Sequence, residues 1–189
     1  RRGAIQSMAW SELSRLDVGS HFHPRFAGER IPLLADVLNT YGKSMILDLE
    51  IKGLNALSEG LEEMVVQMVR ERGLLNRVIV SSFNPLIIRR VRALQPEIRT
   101  GFNYIEDGFA NLRRVWFKPS LHPFSQHPQP RRVDERYLEM QHKNGVWVIP
   151  WGVDDPAEIK RLLALGVDGI ISDYPTRLRE LAEALQKPG

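Results

Sequence analysis

No cysteine occurs anywhere in these 189 residues, which excludes a disulfide framework, a thiolate zinc site and a cysteine nucleophile together. No run reaches the roughly 18 apolar residues of a membrane span, and Arg1 to Asp17 lacks the apolar core of a secretion signal. A chain without a transmembrane segment is the expectation; the compartment is expected to be the cytoplasm, with a targeting segment ahead of Arg1 as the alternative. No Gly-x-Gly-x-x-Gly and no Walker loop follows any candidate strand, which weighs against a nucleotide-binding sheet. Charge of one sign is also scarce, since 26 Lys and Arg against 23 Asp and Glu leave a net +3. Some cations stand in pairs, such as Arg89-Arg90, Arg113-Arg114 and Arg131-Arg132, scattered along the chain and diluted by acids and apolar residues. Such scattered pairs read as solvated faces, so no nucleic-acid partner is expected, while the mild positive excess favours a small anionic substrate.

What is present is a repeating alternation. Ile46 to Ile51 and Val78 to Val80, followed by Ser81-Ser82, are short runs rich in aliphatic residues, the pattern of strands buried on both faces. Between them Leu61, Met64, Val65, Met68 and Val69 recur at helical spacing from Glu59 to Arg72, and Gly73 stops the helix. The same order continues with helix Pro85 to Leu94, strand Ile98 to Phe102, strand Val115 to Lys118 and helix Asp134 to Lys143. Strand Val146 to Trp151, helix Pro156 to Leu165 capped by Asp155, strand Gly169 to Ser172 and helix Pro175 to Leu185 complete it. The long irregular stretches Asp17 to Arg30 and Pro119 to Arg132 interrupt the order, and loops of that length are usually functional.

Strands alternating with helices specify an α/β fold with a parallel sheet, either open and doubly wound or closed as a TIM (β/α)8-type barrel. The missing nucleotide loops favour the barrel, as one domain over 1–189. A barrel has eight strands and typically about 250 residues, so this reading has about six of eight strands present and expects roughly 60 further residues before Arg1.

Barrel chemistry sits at the carboxyl ends of strands. In Ile46-Leu47-Asp48-Leu49-Glu50-Ile51-Lys52, period-two alternation puts Asp48, Glu50 and Lys52 on one face. A carboxylate facing a barrel interior needs a cation, a metal or a hydrogen bond. Two readings stand: Glu50 as an oxygen ligand to a hard divalent ion with Lys52 on a phosphate, or a buried Glu-Lys pair. Ser81 to Asn84 also lie on the catalytic face, where Asn84 suits a helix cap. Trp151 ends another strand, either as an apolar wall of the site or as core. Asp173 is expected to fix the turn into the last helix. His21 and His23 read as surface or phosphate-contacting residues, His122 and His127 as similar residues in a proline-rich loop, and His142 as an ordinary helix residue.

Taken together these segments resemble the glycerophosphodiester phosphodiesterase family. The resemblance runs through Leu16-Asp17-Val18-Gly19, Phe26-Ala27-Gly28-Glu29-Arg30-Ile31-Pro32, Leu49-Glu50-Ile51-Lys52 and Ser81-Ser82-Phe83-Asn84-Pro85. It continues through Trp151-Gly152-Val153-Asp154 and Gly166-Val167-Asp168-Gly169-Ile170 to Asp173-Tyr174-Pro175. It implies a TIM barrel that uses Mg2+ or Ca2+ to hydrolyse glycerophosphodiesters to an alcohol and glycerol 3-phosphate. It also implies Glu50 as metal ligand, Lys52 as phosphate contact and Trp151 as substrate wall. The family's Trp-Thr-Val-Asn reads Trp-Gly-Val-Asp here, so Gly152 and Asp154 depart from the pattern.

The mechanism the resemblance implies has a metal-activated glycerol hydroxyl attack phosphorus, with two histidines as acid and base. The family's His-Arg-Gly motif, its paired Glu and Asp, and its following His-Asp have no counterpart in this chain. The expectation is an enzyme of that family whose 189 residues are inactive by themselves and expose strand edges. The alternative is a non-catalytic barrel serving as a binding or scaffold module.

Overall fold

The computed structural model describes residues 5–53, 60–105 and 122–186, and the chain divides into two compact units, Arg1–Met45 and Ile46–Gly189. The expected strand Val115 to Lys118 lies outside the described residues, as does Glu59 at the start of the helix expected up to Arg72.

The first unit contains a short helix α1 (Trp10–Leu13) and an amphipathic helix α2 (Leu34–Tyr41), whose Leu38 is buried. The stretch between them is ordered by one carboxylate. Asp17 accepts from the Gly19 amide at 2.9 Å and the Ser20 amide at 2.8 Å through Oδ1, and from the Ser20 hydroxyl at 2.6 Å and the Gly28 amide at 2.8 Å through Oδ2. These bonds, the Ser20 hydroxyl foremost and then the amides, hold its pKa far below the usual carboxylate range. Gly19 is required there, because a Cβ would lie 2.0 Å from the Phe26 carbonyl oxygen. His23 sits at the head of a short 3-10 turn over Pro24–Phe26, where its Nδ1 accepts from the Arg25 amide at 3.1 Å.

The second unit is an all-parallel sheet of five strands among the described residues, in the order β1 (Leu47–Glu50), β2 (Val78–Ser82), β3 (Arg99–Asn103), β4 (Ser125–His127) and β5 (Trp147–Val148). Sequential order with parallel pairing requires a crossover between neighbours. Helices α3 (Leu61–Glu71) and α4 (Pro85–Leu94) make the first two crossovers, and α5 (Glu135–Lys143) joins β4 to β5. Helices α6 (Pro156–Leu165) and α7 (Pro175–Gln186) follow. The barrel-type α/β fold expected from the alternation is the one observed.

Local chemistry explains the boundaries. Asn84, Asp134 and Asp155 each cap a helix, accepting from the amides of Leu86 at 3.0 Å, Tyr137 at 2.7 Å and Glu158 at 3.0 Å. Gly166 ends α6 at a φ of 83°, a left-handed position that glycine adopts without strain. Every residue of β2 is buried, as a strand covered on both faces must be. The face of the sheet that meets the helices packs Phe102 and Val148 against Ile88, Tyr137, Leu138, Ile159 and Leu162.

Three expectations change. β4 falls inside the stretch read as irregular; Ser-Gln-His has no apolar pattern, yet all three residues are buried. Gly169 to Ser172 forms only a single parallel bridge, Trp151 to Ile171, because Pro150 has no amide to continue the ladder of β5. Arg90 is no solvated cation: its Nη1 lies 2.7 Å from Glu62 Oε1, a carboxylate on α3 with 3% of its side chain exposed.

Leu162 has no exposed surface at the centre of the helix-facing core. Leu162→Ala should cost about 2–5 kcal/mol of unfolding free energy through lost burial and the residual cavity. Urea denaturation followed by circular dichroism measures it, and a loss under about 1 kcal/mol contradicts this packing.

Candidate active site

β1 and β2 end together. The Ile51 amide donates to the Ser81 carbonyl at 2.8 Å, which brings Lys52 and Gly53 beside the turn that follows β2. That turn is tied to them by side chains: Ser82 Oγ donates to the Ile51 carbonyl at 2.7 Å, and Asn84 Nδ2 donates to the Gly53 carbonyl at 3.2 Å. Asn84 is thus both the helix cap expected and a clamp between two strand ends. Phe83, held between these clamps, meets Trp151 edge to face with ring centroids 5.6 Å apart. Trp151 follows β5, three places away from β2 in the sheet. A contact between such distant strand ends requires the sheet to curl, as a barrel does.

Glu50 and Lys52 stand at this same end. The Lys52 ammonium lies 3.1 Å from Glu50 Oε1, with 81% of the lysine and 31% of the glutamate side chain exposed. The buried ion pair considered from the sequence is therefore replaced by an open one at the strand terminus. An exposed pair of this kind contributes little to stability, and both groups remain reachable by a ligand. Trp151 is half-buried, its Nε1 without a hydrogen-bond partner. Glu50, Lys52 and Trp151 are placed at the carboxyl ends of their strands.

Asp154, the departure from the family's Asn, has a structural task. Its Oδ1 accepts from Ser172 Oγ and from the Asp173 amide, both at 2.9 Å, and Ser172 Oγ accepts from the Tyr174 amide at 3.1 Å. Asp154, rather than Asp173, fixes the turn into α7; a carboxylate two residues after Gly152 reaches these donors where Asp173 supplies only its amide.

The feature least visible in the sequence lies inside the curl. His127, read as a loop histidine, is on β4 with no exposed surface. Its Nε2 is 2.8 Å from Ser125 Oγ, and its Nδ1 is 3.6 Å from Oδ2 of Asp48 on β1. The order serine, histidine, aspartate evokes a nucleophilic triad, but Ser125 is wholly buried and toward the amino end of its strand, so no substrate reaches it. Gly101 makes the arrangement possible, since a Cβ there would lie 2.7 Å from His127 Cε1 and 2.9 Å from Nε2. Of the remaining histidines His21, His23 and His122 are exposed, and His142 Nε2 pairs with Asp168 Oδ2 at 2.8 Å on the surface.

Burial pushes the His127 imidazole down to about 4. Burial also pushes Asp48 up to about 6, reinforced by the nearby Glu50 charge, while the Ser81 hydroxyl pulls the other way without reaching full hydrogen-bond geometry.

The fold is that of a β/α-barrel, and similarity to known proteins places the chain among the phosphoric diester hydrolases. Residues 1–177 match the model of the glycerophosphoryl diester phosphodiesterase family. A glycerophosphodiester phosphodiesterase of Caldanaerobacter subterraneus is 36% identical over 184 residues, which cover 95% of this chain and 73% of that protein. The crystal structure of a glycerophosphodiester phosphodiesterase from Agrobacterium tumefaciens shares the fold with a TM-score of 0.74 at 22% identity, over 94% of this chain and 74% of that one. An Oleispira antarctica phosphodiesterase, solved in complex with sn-glycerol-3-phosphate, aligns with a TM-score of 0.71 at 26% identity, over 96% and 73% of the two chains. The chain belongs to the glycerophosphoryl diester phosphodiesterase family. Among the described residues no helix is long and apolar enough to cross a membrane.

The two shifted groups act oppositely on stability. His127 titrates near 6.5 when unfolded and near 4 when folded, so the unfolded state takes up its proton first and stability falls as pH drops from 6.5 to 4. Asp48 titrates near 3.8 when unfolded and near 6 when folded, so its contribution falls as pH rises through that window. Asp48 keeps 32% of its side chain exposed against none for His127, so solvent screens it and the histidine effect is the larger. Urea unfolding between pH 4 and 6.5 should show stability rising with pH in the wild type and more steeply in Asp48→Asn. In His127→Gln it should be flat or falling, and parallel curves for all three would contradict the assignment.

Proposed function

We propose that this chain carries the phosphate-facing part of a metal-dependent glycerophosphodiester phosphodiesterase site, with Glu50 as a ligand to Mg2+ or Ca2+, Lys52 on the phosphate and Trp151 as the substrate wall. The observation that carries the reading is the Glu50–Lys52 pair, opposite charges 3.1 Å apart and open to solvent at a barrel strand terminus. The product seen with the Oleispira antarctica relative, sn-glycerol-3-phosphate, is the chemistry such a pair suits.

Glu50 fits a hard divalent ion: it is a carboxylate with oxygen lone pairs beyond the single contact to Lys52, at the open end of its strand. Among the described residues no cluster of three or more His, Asp or Glu side chains surrounds it, so it is one ligand of a set. A divalent ion held there supplies neutralisation of phosphate charge and polarisation of an oxygen. Lys52 meets the anionic phosphoryl oxygens as a point charge and, on doing so, gives up its contact with Glu50, which frees that carboxylate. Phe83 and Trp151 present an apolar surface that excludes water from one side of the site. His127 carries no proton to or from this substrate, being enclosed on the far side of Asp48. Within the second unit the other described histidines are His122, exposed, and His142, paired with Asp168, which supports the reading that the 189 residues do not complete the acid–base pair.

Three measurements on the 189-residue protein test this. Turnover of glycerophosphocholine with added Mg2+ or Ca2+ should be absent, and robust turnover overturns the incomplete acid–base reading. Glycerol 3-phosphate affinity by calorimetry should fall about 10-fold or more in Lys52→Met, the loss of one charge-assisted contact. Enhancement of that affinity by Ca2+ should vanish in Glu50→Gln, and unchanged binding in both variants would move the site elsewhere.

A further inference from the structure

Four neighbouring strands turn polar side chains onto one patch of the concave face of the sheet. Asp48 comes from β1, Ser81 from β2, Asn103 from β3 and His127 from β4. The register places Asn103 beside His127, and Ser81 beside Gly101, whose missing side chain leaves the gap that His127 and Ser81 flank. Within this patch Ser81 Oγ, Asn103 Oδ1 and His127 Nδ1 are all buried without a hydrogen-bond partner. A buried polar atom left unpaired forfeits the hydrogen bond that would offset its desolvation. Thr100 Oγ1 on β3 is unpaired as well, but on the opposite face of its strand by alternation, whereas these three lie side by side on one face and point to a further bound group.

The chemistry of that group follows from the atoms facing it. Asp48 is a carboxylate whose only ion-pair partner among the described residues is the imidazole of His127, without any lysine or arginine. Ser125 Oγ lies 2.8 Å from His127 Nε2. When Nε2 bears the ring proton and donates it to Ser125, Nδ1 turns a lone pair toward Asp48 Oδ2. That arrangement, a ring nitrogen oriented by a hydrogen bond from its other nitrogen, is how histidines are prepared to ligate. The Nδ1 to Oδ2 separation of 3.6 Å is too long for a hydrogen bond. It is the separation of two ligands of one ion, since bonds of about 2.0–2.1 Å meeting at roughly 110–120° put the donor atoms about 3.4–3.6 Å apart.

We propose that Asp48 and His127 bind a divalent cation of the borderline class, zinc, between them inside the barrel, with Asn103 Oδ1 and Ser81 Oγ supplying neutral oxygens. This site lies two residues below Glu50 on the same strand face, about 6–7 Å along β1. It is separate from the strand-end ion of the proposed function and does not depend on it. Imidazole selects the borderline metals, whereas the strand-end carboxylate suits the hard ions. Among the described residues no cage of three or more His, Cys, Asp or Glu forms here, so the remaining coordination is neutral oxygen and water. The ion would also tie β1 to β4, strands that are not neighbours in the sheet.

The test uses Co2+ as a spectroscopic probe and Zn2+ in calorimetry, on the 189-residue protein. The wild type should take up one Co2+ per chain with a visible d–d absorption band, and Zn2+ should displace it. Asp48→Asn and His127→Gln should each weaken binding about 10-fold or more. Gly101→Ala should weaken it comparably with every ligand retained, because the new methyl group displaces the imidazole. Ser125→Ala should cost about 10- to 100-fold through loss of the orienting bond. His142→Gln, on the surface beside Asp168, should leave the affinity within about 2-fold.

Should a variant fail to fold, the wild type decides: Co2+ must broaden the His127 ring signals in proton–nitrogen spectra before those of His21, His23 and His122. Binding lost in Glu50→Gln alone, binding unchanged in Asp48→Asn and His127→Gln, or absence of stoichiometric uptake with the patch holding only water would each overturn the proposal.

Discussion

The curl of the parallel sheet is the constraint from which the site follows. Asp48 on β1 and His127 on β4 come within 3.6 Å although two strands separate them, and Phe83 and Trp151 meet at 5.6 Å between the ends of β2 and β5. A flat sheet would hold such residues roughly 14 Å apart, three strand spacings of about 4.8 Å. What permits the approach is local: Gly101 on the strand between them has no side chain, and any Cβ there would collide with the imidazole. Close packing on the concave face is thus traded for a buried histidine, and the strand ends converge on one mouth as a result.

The two faces of the sheet have different chemistry. The face toward the helices is apolar and forms the main core, with Phe102, Val148, Ile159 and Leu162 at its centre. Of the polar groups that enter this layer, Tyr137 donates to Gln126 at 3.0 Å and is itself hydrogen-bonded to Tyr104, while Thr100 Oγ1 is unpaired. The concave face is polar and incompletely satisfied, with its carboxylate and imidazole both displaced from their ordinary titration by burial. Unpaired buried groups concentrate at functional sites, where a ligand completes them. Glu50 and Lys52 at the rim are the exposed continuation of the same strand face.

Legibility in the sequence followed periodicity. Helices α4 and α6 were readable to the residue, because proline at the first turn, a capping Asn or Asp and the helical spacing of Ile87, Ile88 and Val91 or Ile159 and Leu162 all agree. β2 was readable because both of its faces are aliphatic at the start. β4 was not, since Ser125, Gln126 and His127 are polar and become strand only because Ser125 meets His127, Gln126 meets Tyr137 and neighbours pair on either edge. Helix α2 went unread behind the long irregular stretch. The ion pair of Glu62 with Arg90 joins residues 28 positions apart and has no local signature.

The sequence by itself determined the alternation of strand and helix, the family, and the candidacy of Glu50, Lys52 and Trp151. These rest on near-neighbour information: alternation along a strand, spacing along a helix, and short motifs in a given order. Tertiary structure alone decided that Glu50 and Lys52 form an open pair rather than a buried one, that Asp154 and not Asp173 holds the last turn, and that His127 faces Asp48. Burial and partnership are properties of what lies across a curved sheet, and the chain carries no local record of which residues its curvature will bring together.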